Sequence, residues 1–183
     1  MTSLTHSEAK PSAWVKRHAS LIKPQGRILD VATGSGRNAC WLAAQGWQVE
    51  AVDKDETALA SMQGLANIST RVADIENGPW PYAGQKFDGI VVCRYLYRTL
   101  FPTLIHSLSA DGILIYETFM LGHEVHGRPK NPDFLLRPNE LLDVFVPSLV
   151  PVAFEQGFDP SQQAVVQRIC LRSAASSLPI LQS

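Results

Sequence analysis

The sequence predicts an α/β fold with a mostly parallel seven-stranded sheet, helices on both faces and a C-terminal antiparallel hairpin. Three observations carry this. Apolar strand-like runs alternate with helix-like stretches through residues 28–118, the rhythm that builds parallel sheets from βαβ units. The rhythm then stops, and two strand-like runs follow each other, Leu149 to Phe154 and Ala164 to Leu171. The turn between them, Gly157-Phe158-Asp159-Pro160-Ser161, is short enough for a hairpin. Finally, 183 residues at 45% hydrophobic and 18% charged suit one domain with a sizeable core.

Each element has a local reason. Ser12 can cap a helix running to about Ile22, with Trp14, Val15, His18, Leu21 and Ile22 at helical spacing. Pro24-Gln25-Gly26 ends it. Strand 28–31 leads to helix 36–45, which Gly46 stops. Strand 48–52, helix 55–64 and strand 68–73 come next. The stretch holding Gly78-Pro79-Trp80-Pro81 and Gly84 has too many breakers for a long helix. Strand 87–93 is almost continuously apolar, as a central strand buried on both faces should be. Helix 96–109, with Pro102 near its start or at a kink, and strand 112–118 complete the fifth repeat. Residues 120–139 read as a polar loop, of which 120–136 could act as a lid. Within it, Phe134-Leu135-Leu136 is either an apolar cover or an anchor to the core. Pro138 can begin a helix reaching about Phe145. The domain is expected over residues 12–173, with flexible tails at 1–11 and 174–183.

Composition narrows the function. The net charge of −1 gives no general attraction for nucleic acid. Basic residues cluster locally at Lys10, Lys16, Arg17, Lys23 and Arg27, read mainly as a solvated face. No apolar run approaches a membrane span and the N-terminus has no apolar signal region. Cys40, Cys93 and Cys170 are odd in number and widely spaced, suggesting neither disulfides nor a zinc site. A reduced, cytoplasmic setting is the expectation.

The run Ile28-Leu29-Asp30-Val31-Ala32-Thr33-Gly34-Ser35-Gly36-Arg37-Asn38 carries the chemistry. It reads as strand, acid, glycine turn and helix start. Seventeen residues beyond Gly36, a second strand ends at Asp53. Together they describe a nucleotide-binding βαβ unit. Glycines let backbone approach a ligand, helix N–H groups face an anionic part of it, and the carboxylate accepts from a ribose. A relaxed dinucleotide fingerprint, Gly34-x-Gly36-x-x-Ala39, is also met. Asp30 favours S-adenosylmethionine (SAM) over NAD, because a carboxylate inside the turn repels a pyrophosphate and attracts a cationic amino group. Asp74, ending the third strand, suits an adenine amine. The chain has no room for a separate substrate domain, and its terminal hairpin is unusual for NAD-binding domains.

The turn resembles motif I of class I SAM-dependent methyltransferases, a Rossmann-like family, with Ala32 in place of the first glycine. Ala is a mild change there if its φ is negative. Gly34-Ser35-Gly36-Arg37-Asn38 followed by Ala51-Val52-Asp53-Lys54 is similar to the TehB-like, tellurite-resistance group of small methyltransferases. The resemblance implies that Asp30, Thr33, Gly34, Gly36 and Asn38 hold the methionine end of SAM. It places Asp53 on the ribose with Lys54 beside it, and Asp74 and Ile75 around adenine. Cys93 borders the cofactor, whose product form is S-adenosylhomocysteine (SAH).

A bound sulfonium is already activated, so the protein must chiefly align the reactants and exclude water. Arg94 and Tyr95 are the catalytic candidates. Tyr97, His123, His126 and Arg128 are the substrate-binding candidates, with Glu117 a further polar residue near the pocket. Arg94 and Arg128 suit an anionic acceptor. Cys93-Arg94-Tyr95-Leu96 replaces the Asp/Asn-Pro-Pro-aromatic motif of adenine and glutamine methyltransferases. His123 and His126 lack a third ligand, so no metal is expected. The expectation is a methyltransferase for a small, anionic molecule, a monomer or homodimer with no nucleic-acid or membrane partner. The rivals are a non-catalytic SAM-binding regulator and a small NAD(P)-binding oxidoreductase.

Overall fold

The computed structural model describes residues 10–173. The expected tails at 1–11 and 174–183 lie outside the described residues, apart from Lys10 and Pro11. Among the described residues, seven strands form one sheet: β1 (Arg27–Val31), β2 (Gln48–Asp53), β3 (Ile68–Val72), β4 (Phe87–Cys93), β5 (Leu108–Phe119), β6 (Leu149–Asp159) and β7 (Ala164–Ser173). Their order is β3-β2-β1-β4-β5-β7-β6. Strands β1 to β5 run parallel, and β7 is antiparallel to both β5 and β6. The order reverses between β1 and β4, which opens a crevice at their C-terminal ends.

The helices are short: α1 (Ala13–His18), α2 (Arg37–Ala44), α3 (Glu56–Ala60), α4 (Phe101–Ser107) and α5 (Glu140–Phe145). Buried residues form two clusters, one on each face of the sheet. Trp14, Val15, Leu42, Leu59 and Met62 from α1 to α3 and the following turn pack with Ile28, Val49, Val91 and Ile115. Phe101 and Leu104 of α4 and Leu141 and Phe145 of α5 pack with Leu29, Val52, Val92 and Tyr116. Neighbouring strand residues divide between the clusters because side chains alternate along a strand. Both faces are covered, so the central strands read as unbroken apolar runs.

Several boundaries differ from expectation. The stretch 55–64 is helical only over Glu56–Ala60, and turns follow, with Gly64 at φ +77°. Instead of one helix over 96–109, a 3-10 turn, Arg98–Leu100, precedes α4. Pro102 lies in the first turn of α4, where its missing N–H costs nothing. Strand β5 starts at Leu108 rather than 112, and a register shift between Phe87 and Gly89 absorbs the extra length. The hairpin turn is displaced to residues 160–163, leaving Gly157 within β6 opposite Val166. Asp159 sets that turn, accepting from the N–H and hydroxyl of Ser161 at 2.9 and 2.6 Å. Among the described residues, no helix is long and apolar enough to cross a membrane.

Candidate functional site

The site begins where β1 runs into its turn. Asp30 is buried, and its Oδ2 accepts from the Thr33 hydroxyl at 2.7 Å. Burial pushes its carboxyl up to about 6, against opposing hydrogen bonds from the Thr33 hydroxyl and the Ala39 N–H and the nearby Arg37 charge. Three residues of the turn take positive φ: Ala32 at +51°, Gly34 at +56° and Gly36 at +79°. Ala32 therefore lacks the negative φ under which alanine would be a mild replacement. It holds a left-handed conformation that disfavours any Cβ. Gly36 is required twice over, because a Cβ there would also meet Met62 Sδ at 1.9 Å.

The end of β2 secures this turn. Asp53 Oδ2 accepts from the Gly34 N–H at 2.7 Å, and Oδ1 from the Asp55 N–H at 3.0 Å. Two adjoining cavities open above the strand ends. The first, about 290 Å³, is lined by Asp53, Lys54, Asp74, Ile75, Glu76, Arg94 and Tyr95, with Ala32 and Ala73. The second, about 230 Å³, is lined by Asp30, Thr33, Gly34, Ser35, Arg37, Asn38, Cys93 and again Ala32 and Arg94. Of the expected cofactor residues, only Gly36 lines neither cavity, since it faces Met62 from behind the turn.

Asp74 is turned onto its own loop. The side-chain amide of Asn77, then the N–H groups of Asn77 and Glu76, hold its carboxyl below the ordinary value. Its oxygens retain lone pairs for a further donor. The Tyr95 hydroxyl donates to Glu76 Oε1 at 3.2 Å. Burial and that carboxylate push the Tyr95 phenol far up, so it stays protonated at neutral pH. Burial likewise raises the Cys93 thiol well above its usual range, which disfavours its thiolate. Arg94 has φ +55° and donates its backbone N–H to the Glu117 carbonyl at 2.9 Å. Its guanidinium lies 6.0 Å from the Phe119 ring centre and joins none of the ion pairs among the described residues.

The substrate candidates lie outside the two cavities. Tyr97 donates its hydroxyl to the Glu76 carbonyl at 3.1 Å. His123 is buried and stacks on Phe119 at 4.1 Å. Its Nε2 bonds the Arg128 carbonyl at 3.0 Å and its Nδ1 accepts from the Val165 N–H at 3.3 Å. With both nitrogens engaged, His123 anchors the loop and cannot chelate with His126, which is exposed against Phe158. Arg128 is exposed on the same loop. Phe134 is exposed, whereas Leu135 and Leu136 are fully buried, so the tripeptide divides between cover and anchor. Among the described residues, no group of three or more His, Cys, Asp and Glu could hold a metal.

Sequence reasoning missed two features. Glu76 faces the first cavity, and the Asp74 loop conformation that brings it there leaves no spacing signal. Arg98 pairs with buried Glu140 at 2.6 and 3.0 Å and also donates to the carbonyls of Asp133 and Leu135. This clamp ties the 3-10 turn before α4 to the loop and, forty-two residues away, to α5, beyond any local pattern.

Residues 28–109 match the family model described as "Methyltransferase domain". A putative methyltransferase, YqeM of Bacillus subtilis (strain 168), is 27% identical over 122 residues, covering 61% of this chain and 49% of its own length. TehB of Haemophilus influenzae superposes with a TM-score of 0.69 at 19% identity, over 94% of this chain and 63% of its own. The N-methyltransferase NodS of Bradyrhizobium japonicum WM9, solved with SAH, gives 0.65 at 18% identity, over 87% and 86%. The chain spans about half the length of the curated relatives it matches. Over residues 28–109 the chain matches a methyltransferase domain model, and its fold is similar to that of TehB and NodS.

Proposed function

We propose that this chain transfers a methyl group from SAM to a small, anionic acceptor. The observation that carries the cofactor reading is the placement of three carboxylates on successive strand ends, Asp30, Asp53 and Asp74. They surround a glycine turn at the switch point, where two cavities meet. Asp30, with Thr33, Gly34 and Asn38, would take the cationic methionine end in the second cavity. Asp53 would accept from the ribose hydroxyls with Lys54 alongside, and Asp74 and Ile75 would flank adenine in the first. A pyrophosphate would instead meet the Asp30 carboxylate, which argues against NAD(P).

SAM would bring an activated methyl group on a positively charged sulfur. What remains for the protein is alignment and exclusion of water. Arg94 borders both cavities and has a guanidinium without a carboxylate partner among the described residues. It suits an oxyanionic acceptor group, with exposed Arg128 as a second cation on the loop side. An anionic nucleophile needs no base, consistent with a Tyr95 phenol that stays protonated.

The test is incubation of the protein with methyl-labelled SAM and fractionated small-molecule extract. Label should pass to acidic small molecules, and Arg94→Ala should abolish the transfer with a much smaller loss of SAH binding. SAH binding with no labelled product in any fraction would favour a non-catalytic SAM-binding protein.

A further inference from the structure

Ser12 caps α1, but its bonds reach much further than a cap needs. Its hydroxyl accepts from the N–H groups of Trp14 and Val15 at 3.1 and 3.3 Å, and donates to Glu117 Oε1 at 2.9 Å. Its own N–H donates to Asn38 Oδ1 at 2.9 Å, twenty-six residues away. Ser12, Asn38 and Glu117 are all buried. Asn38 forms part of the second cavity's wall, and its side-chain amide also meets the Cys93 thiol. Glu117 lies two residues before the end of β5, and its carbonyl takes the Arg94 N–H. Its second carboxylate oxygen pairs with Arg168 at 3.3 Å. Ser12 itself lines neither cavity.

We infer that Ser12 is a positioning residue for methyl transfer, fixing the cofactor wall through Asn38 and the Arg94 strand end through Glu117. This rests on the cofactor reading above. The bond from the Ser12 N–H settles which way the Asn38 amide faces, because only the oxygen can accept it. The bond from the hydroxyl satisfies one oxygen of a buried carboxylate whose displacement would carry the backbone of Arg94 with it. Methyl transfer depends closely on the angle between acceptor and sulfonium, so a brace across the two halves bears directly on the reaction.

The experiment is calorimetric titration of SAH into the full chain, wild type, Ser12→Ala and Ser12→Thr, with thermal melting of each ligand-free protein. Ser12→Ala removes the hydroxyl that holds Glu117 and caps α1, and so loosens the Ser12 N–H that bears on Asn38; it should weaken SAH binding about tenfold, and Ser12→Thr, which keeps the hydroxyl, should stay within about threefold. Binding in Ser12→Ala equal to wild type overturns the inference, as does equal loss in both variants, which would assign the effect to packing. Should Ser12→Ala not fold, hydrogen exchange of the wild type decides. Residues 10–18 should gain protection with saturating SAH, and unchanged exchange overturns the inference. Wild type that binds no SAH overturns the cofactor reading and this inference together. Wild-type binding with an indifferent Ser12→Ala overturns this inference alone.

Discussion

The two halves of the sheet use their polar residues differently. On the side of β1, β2 and β3, Asp30, Asp53 and Asp74 face cavities and bond only to nearby backbone or short side chains. On the side of β5, β6 and β7, charged residues pair with each other. Arg168 meets Glu117, Glu155 and Asp159, and Arg98 meets Glu140. One half is arranged to receive a ligand, and the other to hold a loop and a hairpin in place. In the proposed reading, the cofactor side is therefore preformed. The proposed acceptor side has mainly Arg94, together with whatever the anchored loop presents.

Substitutions can break this contrast. The largest effect is expected at Gly36. Gly36→Ala adds a left-handed penalty to a clash with buried Met62 and should destabilise the fold by about 3 kcal/mol, read by thermal or urea denaturation. An unchanged midpoint would mean that the turn has room it does not display. Arg98→Ala leaves Glu140 buried without its main partner and should cost about 3 kcal/mol, with SAH affinity unchanged. A parallel loss of SAH affinity would erase the division between the halves.

Asp30 tests the opposite case, a residue kept at the expense of stability. Its folded value of about 6 lies above the ordinary 3.8, so the folded state holds this proton more tightly than the unfolded chain does. Its stabilising contribution is complete below about pH 4 and is lost as pH rises through 6. At pH 7.5 the ionised group costs up to about 3 kcal/mol. Asp30→Asn should therefore raise the melting temperature at pH 7.5, have little effect near pH 4, and weaken SAH binding. In the wild type, SAH affinity should fall as pH drops below 6. A lower melting temperature for Asp30→Asn at pH 7.5 would contradict this.

Smaller effects sharpen the same boundary. Asp53→Ala should weaken SAH binding by about 1–3 kcal/mol, losing a charged hydrogen bond and the anchor of the Gly34 N–H. Calorimetry reads this, and equal affinity would remove Asp53 from the ribose. Ala32→Gly relieves one left-handed residue and should stabilise the protein by up to about 1 kcal/mol, net of the entropy glycine adds to the unfolded chain. A lower denaturation midpoint would show that the alanine methyl has a packing role.

The same contrast explains what could be read from the sequence. The strands, their acidic ends and the glycine turn are local patterns a few residues long, and the apolar runs announce burial on both faces. The antiparallel end was legible from two adjacent strands, although the Asp159 network moved its turn past Gly157. The Arg98–Glu140 clamp, the His123 anchor and the Ser12 brace were not legible, because each joins residues far apart in the chain. The strain at Ala32 was hidden for a different reason, since residue identity alone does not fix φ. Glu76 escaped because a carboxylate in a polar loop carries no periodicity.

The most direct test of the central claim is calorimetric titration of the wild-type protein with SAH, with NADH in a parallel cell. The arrangement of Asp30, Asp53 and Asp74 predicts micromolar binding of SAH and none of NADH. Binding of NADH without SAH would contradict it, and would return the glycine turn to pyrophosphate recognition and the chain to hydride chemistry.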